Sequence, residues 1–167
     1  MKVAVRCERP ADFAAIDAVH EQAFGRPGEA ALVRALRSEV RPYLGLVAEQ
    51  AGRVAGHLAF SPVAIGGGSP PALGLGPLAV EPGLQRAGLG SALVHAGLAR
   101  CAELAQIVVV LGHAAYYPRF GFQPAFRHGL RYRSEVFDPS FFVLELAPGA
   151  LAGVSGWVRY PEAFERT

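Results

Sequence analysis

Residues 73–100 constrain the fold of this chain more than any other segment. The first part, residues 73–80, is apolar with almost no interruption, which is the composition of a buried strand. A Pro-Gly pair then ends the strand. Residues 85–90 form a turn rich in glycine, and the small and apolar residues 91–105 predict a helix. The rest of the chain must therefore be arranged around a strand, a sharp turn and a helix.

The turn has the properties of a binding site for phosphate. Gly88 and Gly90 carry no Cβ, so the backbone can approach a bulky group closely and adopt positive φ. The first N–H groups of the following helix have no intrahelical partner, and together with the helix dipole they favour an anion. Arg86 adds a positive charge beside them. This combination predicts a cradle for a pyrophosphate.

Two other phosphate motifs do not fit the segment. A P-loop requires Gly-Lys-Ser/Thr after the turn, and none follows. Residues 74–79 match the dinucleotide pattern G-x-G-x-x-A, but those glycines must lie in a turn that opens a helix. Here Pro77 and an apolar run lead into Glu81-Pro82 with no helix start. We therefore reject a dinucleotide fingerprint.

A second motif follows the helix. Residues 106–111 form a β-branched run typical of a strand covered on both faces. The sequence Tyr-Tyr-Pro-Arg-Phe-Gly-Phe then occupies residues 116–122. Gly121 fits the C-terminal cap of a short helix, and Pro118 is tolerated near the first turn of that helix. Phe122 would fill the core beneath it.

Composition favours one globular domain over residues 1–167. The apolar fraction is 51% and charged residues make up 18%, which argues against disorder. The net charge of +2 gives no reason to expect nucleic acid or a membrane surface as a partner. Cys7 and Cys101 have no metal spacing and are interpreted as free thiols. The charged N-terminal residues do not resemble a signal peptide, so we expect a cytoplasmic protein without a metal.

The remaining elements are predicted from periodicity and turn signals. A hairpin turn is expected at residues 49–52, and the strand after it would end at 60 or run on to 65. The further strands are predicted at residues 2–7, 43–48, 130–133, 141–146 and 156–160, and the helices at 10–24, 29–37 and, as one turn, 148–151.

Together these motifs resemble the GCN5-related N-acetyltransferase (GNAT) superfamily. The turn reads Gln/Arg-x-x-Gly-x-Gly after Leu-Ala-Val-x-Pro, which is similar to the family's acetyl-CoA-binding motif, and residues 117–122 match its Tyr-x-x-x-Gly-Phe signature. The resemblance extends over nearly the whole chain and is strongest to the YhbS-like predicted N-acetyltransferases. It implies an α/β fold with a mixed, largely antiparallel central sheet, a splayed parallel pair of strands, and flanking helices.

The resemblance also implies roles for individual residues. The main chain of the central strand would bind the pantetheine arm of acetyl-CoA, the turn would bind the pyrophosphate, and Tyr117 would be the general acid. The residues implied in cofactor binding are Leu78, Ala79, Val80, Gln85, Arg86, Ala87, Gly88, Leu89, Gly90 and Ser91. An amine of a small molecule or a protein would attack the thioester directly within a ternary complex.

The base that would deprotonate the amine is not identified by the sequence. His57, Glu49, Glu81 and His113 are candidates, and a structural or solvent-exposed role competes for each of them. Arg119 would contact a coenzyme A phosphate or remain solvated. Two other functions stay open: a non-catalytic acyl-CoA-binding or sensing domain on the same fold, and an unrelated nucleotide-phosphate binder. Exposed strand edges near the C-terminus would permit a homodimer.

Overall fold

The computed structural model describes residues 2–166, which form a central sheet flanked by helices. The strands are β1 (Val3–Cys7), β2 (Leu44–Gln50), β3 (Arg53–Ile65), β4 (Ala72–Val80), β5 (Ile107–Leu111), β6 (Gln123–Pro124), β7 (Leu130–Arg131), β8 (Phe141–Glu145) and β9 (Gly156–Arg159). The α-helices are α1 (Phe13–Phe24), α2 (Gly28–Glu39) and α3 (Leu89–Cys101). Short 3-10 helices span Pro10–Asp12, Pro82–Leu84, Tyr117–Phe120, Ala125–His128, Glu135–Ser140 and Glu162–Arg166.

The main strand order is β1-β2-β3-β4-β5-β8-β6, with β9 paired to the end of β3 and β7 paired to β9. Neighbouring strands are antiparallel except for the pairs β4–β5 and β7–β9, which are parallel. The predicted mixed, largely antiparallel sheet is therefore confirmed. Within residues 2–166, no helix has the length and apolar character needed to cross a membrane.

The parallel pair β4–β5 is joined over only part of its length. Its register runs from Ala72 opposite Ile107 to Leu75 opposite Val110, and β4 then continues to Val80 without β5 as a partner. On its other edge, β4 keeps its pairing with β3 up to Val80, with a bulge opposite residues 58–60. One edge of β4 is therefore open beyond Leu75, which is the position of the predicted splay.

Helices cover both faces of the sheet. On one face, α3 packs Leu93 and Val94 against the β3 residues Leu58 and Phe60 in the largest buried cluster. Gly97 permits this close packing, because a Cβ there would lie 2.5 Å from the Phe60 ring. On the other face, side chains of α1 and α2 pack against alternate residues of β2 and β3. The sheet is thus held rigid directly beneath the open edge of β4.

Several predicted boundaries differ from the structure by one to four residues, and three of the differences have a clear physical reason. Strand β2 runs through to Gln50, so the hairpin turn is only Ala51 and Gly52, both with positive φ. Helix α3 ends at Cys101 instead of residue 105, because its last turn tightens into bonds such as Leu104 N–H to the Cys101 carbonyl. The helix predicted at residues 148–151 is wrong: that segment forms turns, with Gly149 at φ +82°.

Candidate active site

A cleft of about 1090 Å³ opens where β4 and β5 separate. The end of β4 and the turn after it form one side, and the end of β5 with the residues after it forms another. The first side contributes Leu75, Gly76, Pro77, Leu78, Val80, Gln85, Arg86, Gly88, Gly90 and Ser91; the second contributes Leu111, Gly112, His113, Tyr116, Tyr117 and Arg119. Two distant motifs of the sequence are therefore brought to one cleft.

The open edge of β4 presents backbone polar groups to this cleft. The Glu81 N–H donates to the Ala55 carbonyl, which places the polar groups of Glu81 on the β3 side. Because these groups alternate along an antiparallel strand, those of Val80 and Leu78 point to the opposite, open side. The Gln85 side chain donates to the Val80 carbonyl at 3.1 Å. The main-chain groups of Leu78 and the N–H of Val80 can therefore bind an extended ligand.

The turn between β4 and α3 is shaped for an anion. Arg86 has φ +66° and Gly88 has φ +92°, an unusual conformation for the arginine. The first intrahelical bond runs from Ala92 N–H to the Gly88 carbonyl, so the three preceding N–H groups have no helical partner. These donors and the Arg86 charge form a positive site at the start of a 13-residue helix.

Tyr116 connects the two sides of the cleft at the end formed by the turn between β4 and α3. Its hydroxyl lies 3.3 Å from the Ser91 hydroxyl, and the Arg119 guanidinium lies 4.6 Å from the centre of its ring. A Cβ at Gly90 would come within 3.1 Å of the Tyr116 hydroxyl, so glycine keeps the start of α3 close to this ring. The sequence analysis gave Tyr116 no role of its own and missed this connection.

Tyr117 lies at the inner part of the cleft with 7% of its surface exposed. Its ring packs against Gly112, where a Cβ would lie only 2.3 Å from the ring, so only glycine at the end of β5 leaves room for it. Burial, with a smaller contribution from Tyr116, raises the Tyr117 pKa to about 12. The phenol is therefore fully protonated at neutral pH and can only donate a proton there.

The predicted cofactor residues do not all face the cleft. Leu78, Val80, Gln85, Arg86, Gly88, Gly90 and Ser91 line it. Ala79 is buried opposite His57 in the β3–β4 ladder, and Leu89 is buried in the core beneath α3. Ala87 is exposed but does not line the cleft. A role for these three residues in cofactor binding would have to be carried by their main chain.

Of the four candidate bases, the structure brings only His113 to the cleft. Glu49 forms an ion pair with Arg6 at 2.7 Å, and Glu81 forms one with Arg53 at 2.6 Å. His57 is buried in a network, described next, that occupies both of its ring nitrogens. Among the predicted bases, His113 is therefore the one placed to meet an acceptor.

The network around His57 joins β1, α1, α2, β2 and β3. Glu8 lies 2.8 Å from His57 Nε2 and 2.6 Å from Arg37 Nε, and it accepts a hydrogen bond from Tyr43. The His20 Nε2 and His57 Nδ1 atoms are 2.8 Å apart. The hydrogen bonds from His57, Arg37 and Tyr43 lower the Glu8 pKa to about 2, although burial opposes them, so the carboxylate stays ionised. Burial lowers the His20 pKa to about 3, so this imidazole stays neutral.

This network predicts a loss of stability in mild acid. The unfolded chain protonates His20 below its ordinary pKa near 6.5, whereas the folded chain resists until about pH 3. The contribution of His20 to the free energy of unfolding is therefore fully present above pH 6.5 and decreases as the pH falls towards 3. The depressed Glu8 pKa acts in the same direction only below about pH 4.5. We expect the free energy of unfolding in urea to fall by about 2 kcal/mol between pH 7 and pH 5.

The matched variants for this measurement are His20→Leu and His113→Asn. His113 lies outside this network and therefore controls for the loss of a histidine elsewhere in the chain. His20→Leu should weaken the pH dependence, and the part that remains is assigned to His57, whose pKa is also lowered by burial. Equal pH dependence in the wild type and in His20→Leu would contradict the assignment.

The far wall of the cleft consists of residues that sequence reasoning did not connect to the site. They come from the α1–α2 corner and from the C-terminal part of the chain, and they are Phe24, Glu29, Leu32, Tyr132, Tyr160 and Phe164. The sequence analysis predicted the two helices that carry the first three but gave these residues no role in the site. No local signal marks the last three, because their position depends on the pairing of β7 and β9.

The described residues, 2–166, contain no group of three or more His, Cys, Asp or Glu side chains that could hold a metal ion. The residues that line the cleft include one carboxylate and two arginines. Glu29 lies on the far wall, whereas Arg86 and Arg119 lie near the turn between β4 and α3. The charge of the cleft thus favours an anionic ligand at the turn.

Comparison with known proteins gives the family. Residues 4–125 match the family model described as "Acetyltransferase (GNAT) domain". The chain is 42% identical over 164 residues to the "Uncharacterized N-acetyltransferase YhbS" of Escherichia coli strain K12, which covers 97% of this chain and 98% of that protein. It is 41% identical over 118 residues to the "Uncharacterized N-acetyltransferase YjhQ" of the same strain, which covers 68% of this chain and 65% of that protein.

Two solved structures share both the fold and the sequence. The GNAT N-acetyltransferase YhbS from Escherichia coli, in complex with CoA, superposes with a TM-score of 0.92 at 40% identity, covering 99% of this chain and 93% of that one. A GNAT acetyltransferase from Brucella melitensis, in complex with acetyl-CoA, gives a TM-score of 0.80 at 38% identity, with 98% of both chains covered. The prediction of an N-acetyltransferase is confirmed at the level of enzyme class, and the chain belongs to the GNAT family of acetyltransferases.

Proposed function

We propose that the protein transfers the acetyl group of acetyl-CoA to a primary amine by direct attack within a ternary complex, using residues 1–167 as one domain. The observation that carries this proposal is the open edge of β4 beyond Leu75, which runs directly into the positive turn at Arg86. Acetyl-CoA has the matching arrangement, because its extended pantetheine arm leads directly into a pyrophosphate. The complexes of the two similar proteins with CoA and acetyl-CoA support this choice of ligand.

In this proposal the pyrophosphate binds at residues 85–91. The free N–H groups at the start of α3 and the Arg86 guanidinium neutralise its charge. The pantetheine arm pairs with the main chain of Leu78 and Val80, where the Val80 N–H or the Leu78 N–H would stabilise the developing oxyanion. Tyr116 and Ser91 close the phosphate end of the cleft.

The reaction balances with no further reactant. The amine nitrogen forms a bond to the acetyl carbon, the carbon–sulfur bond breaks, one proton leaves the nitrogen, and one proton reaches the sulfur of CoA. Tyr117 donates to the departing sulfur, because its phenol is protonated and lines the cleft next to the end of β5. At pH 7 a lysine-like amine is neutral in only about one part in 2,000, which corresponds to about 4–5 kcal/mol. His113 and water in the cleft are the groups available to take its proton.

The test is release of the free CoA thiol in the presence of amines, with the acetylated product identified by mass spectrometry. We expect thiol release to depend on the amine, and double-reciprocal plots at several acetyl-CoA concentrations to intersect. Parallel lines would contradict a ternary complex. Tight acetyl-CoA binding without transfer to any amine would favour the alternative, a non-catalytic acyl-CoA-binding domain.

Arg86 offers a separate test of the phosphate site. Its φ of +66° is costly for a residue with a Cβ, so Arg86→Gly should relieve backbone strain while it removes the charge. We expect thermal stability to stay the same or rise, and the Kd for acetyl-CoA to increase about tenfold at low salt, with a smaller increase at high salt. Unchanged affinity in calorimetric titrations would show that Arg86 does not contact the phosphates.

A further inference from the structure

The far wall of the cleft is aromatic. The rings of Tyr132 and Tyr160 meet edge to face with centroids 5.3 Å apart, and those of Tyr160 and Phe164 do so at 4.9 Å. Phe24 completes the wall from the end of α1, with 39% of its surface exposed. Tyr132, Tyr160 and Phe164 all lie beyond residue 125, outside the segment that matches the family model. Three of the four aromatic residues of the wall are therefore not part of the segment that defines the family match.

Tyr160 fixes this wall to the reacting end of the cleft. Its ring packs directly on β4 at Gly74, where a Cβ would lie 2.6 Å from the ring. Gly74 pairs with Val109, immediately before the last paired position of β4 and β5 at Leu75. The ring thus lies where the two strands separate. Tyr117 is close enough to contribute, after burial and Tyr132, to a raised pKa of Tyr160.

The Tyr160 hydroxyl is buried without a hydrogen-bond partner. Six buried side-chain atoms in residues 2–166 lack a partner, and only this one belongs to a residue of the cleft. A buried hydroxyl that makes no hydrogen bond costs free energy, and at a cleft residue a bound ligand can supply the missing partner. The hydroxyl can accept a hydrogen bond from an amine N–H.

The charges around the wall exclude a ligand with several positive groups. The one carboxylate of the wall, Glu29, accepts hydrogen bonds from Nε and Nη2 of Arg26, at 3.0 and 2.6 Å. Arg133, which lies 5.3 Å from the centre of the Tyr132 ring at the edge of the wall, is likewise ion-paired, with Glu165 at 2.7 Å. Burying several ammonium groups against a single paired carboxylate would leave most of them uncompensated. One amine can instead contact aromatic faces, which attract a single cation and pack against apolar groups.

We propose that the acceptor is a monoamine carried on an apolar or aromatic body, held by the wall of Phe24, Tyr132, Tyr160 and Phe164, with the Tyr160 hydroxyl as the hydrogen-bond partner of its nitrogen. This inference rests on the proposed acetyl transfer and narrows its acceptor. It separates this protein from acetyltransferases of polyamines and aminoglycosides, whose acceptors carry several ammonium groups.

The first test compares phenethylamine and hexylamine with spermidine and kanamycin as acceptors for the wild-type protein. We expect kcat/KM for the two monoamines to exceed that for either polycation by at least about tenfold, which corresponds to the burial of a few methylene groups. Binding of phenethylamine to the CoA complex, measured by calorimetry without turnover, should be detectable, and spermidine should not compete with it. Preference for spermidine or kanamycin, or no use of either monoamine, would overturn the proposal.

The second test is Tyr160→Phe, which keeps the ring and removes the hydroxyl. If the hydroxyl forms a hydrogen bond to the bound amine, its removal should raise the KM for phenethylamine about tenfold. Thermal stability should rise by about 2–4 °C because an unpartnered buried group is gone. Tyr43→Phe is the matched control: its hydroxyl donates to Glu8, so the melting temperature should fall while the KM stays unchanged. A fall in the melting temperature of Tyr160→Phe with no change in KM would assign its hydroxyl a structural role.

Failure of this inference can be distinguished from failure of the proposed function. Acetyl-CoA binding and acetyl transfer to a polycation would leave the proposed function standing and overturn the monoamine assignment. The absence of acetyl-CoA binding to folded wild-type protein would overturn both.

Discussion

Tyr117→Phe is expected to lower kcat for acetyl transfer about 100-fold and to leave the Kd for acetyl-CoA within about twofold of the wild-type value. The phenol is protonated at neutral pH because burial raises its pKa to about 12. A thiolate in water has a pKa near 8.5, so complete proton transfer from this phenol would be unfavourable there. The same buried surroundings raise the pKa of the departing thiol, which reduces the mismatch. We therefore place the effect at the lower end of general-acid contributions.

The control for Tyr117→Phe is again Tyr43→Phe, which removes a buried tyrosine hydroxyl outside the cleft. It should reduce stability and leave kcat unchanged. Because Tyr117 stays protonated to about pH 12, the wild-type kcat should also show no loss attributable to this group up to pH 10. A Tyr117→Phe variant with full kcat on its best acceptor would remove the general acid from the mechanism.

Gly88→Trp is expected to weaken acetyl-CoA binding more than about 100-fold. Gly88 lies at the start of α3 with φ +92°, and a Cβ there would meet open space within the cleft region. An indole ring would therefore occupy the place assigned to the pyrophosphate and cover the free N–H groups of the helix. Loss of several charge-assisted hydrogen bonds accounts for an effect of this size.

Backbone strain must be separated from steric exclusion in this experiment. Gly52 also has positive φ, +75°, and also faces open space, but it lies in the β2–β3 hairpin away from the cleft. Gly52→Trp therefore places a tryptophan at a backbone position with a comparable positive φ. Calorimetric titrations should show wild-type affinity for Gly52→Trp and none for Gly88→Trp. Equal affinities in the two variants would place the cofactor elsewhere.

The strand, turn and helix that form one side of the cleft could be predicted because their signals are local. The strand, the glycine turn and the start of α3 are contiguous in sequence, and each carries its own composition and turn chemistry. The same holds for the short helix after β5, where Gly121 adopts φ +97° as its predicted C-terminal cap. Burial of Tyr117 depended on one more residue, Gly112, whose importance appears only when the ring is seen packed against it.

The acceptor side could not be predicted because its residues meet through long-range pairing. Tyr160 reaches the cleft only through the packing of the C-terminal strands β7 and β9 beside β3 and β4. Two of the candidate bases lie outside the cleft for a related reason: Glu49 and Glu81 form ion pairs with Arg6 and Arg53. Charge and spacing along the chain do not show which carboxylates are already paired.

A crystal structure of the complex with acetyl-CoA tests the central claim most directly. We predict the pyrophosphate within hydrogen-bond distance of the backbone N–H groups of residues 89–91, the pantetheine arm along the open edge of β4, and the thioester sulfur next to the Tyr117 hydroxyl. The methyl group of the acetyl moiety should point towards Tyr160. Acetyl-CoA bound outside the opening between β4 and β5, or with its sulfur remote from Tyr117, would contradict this account.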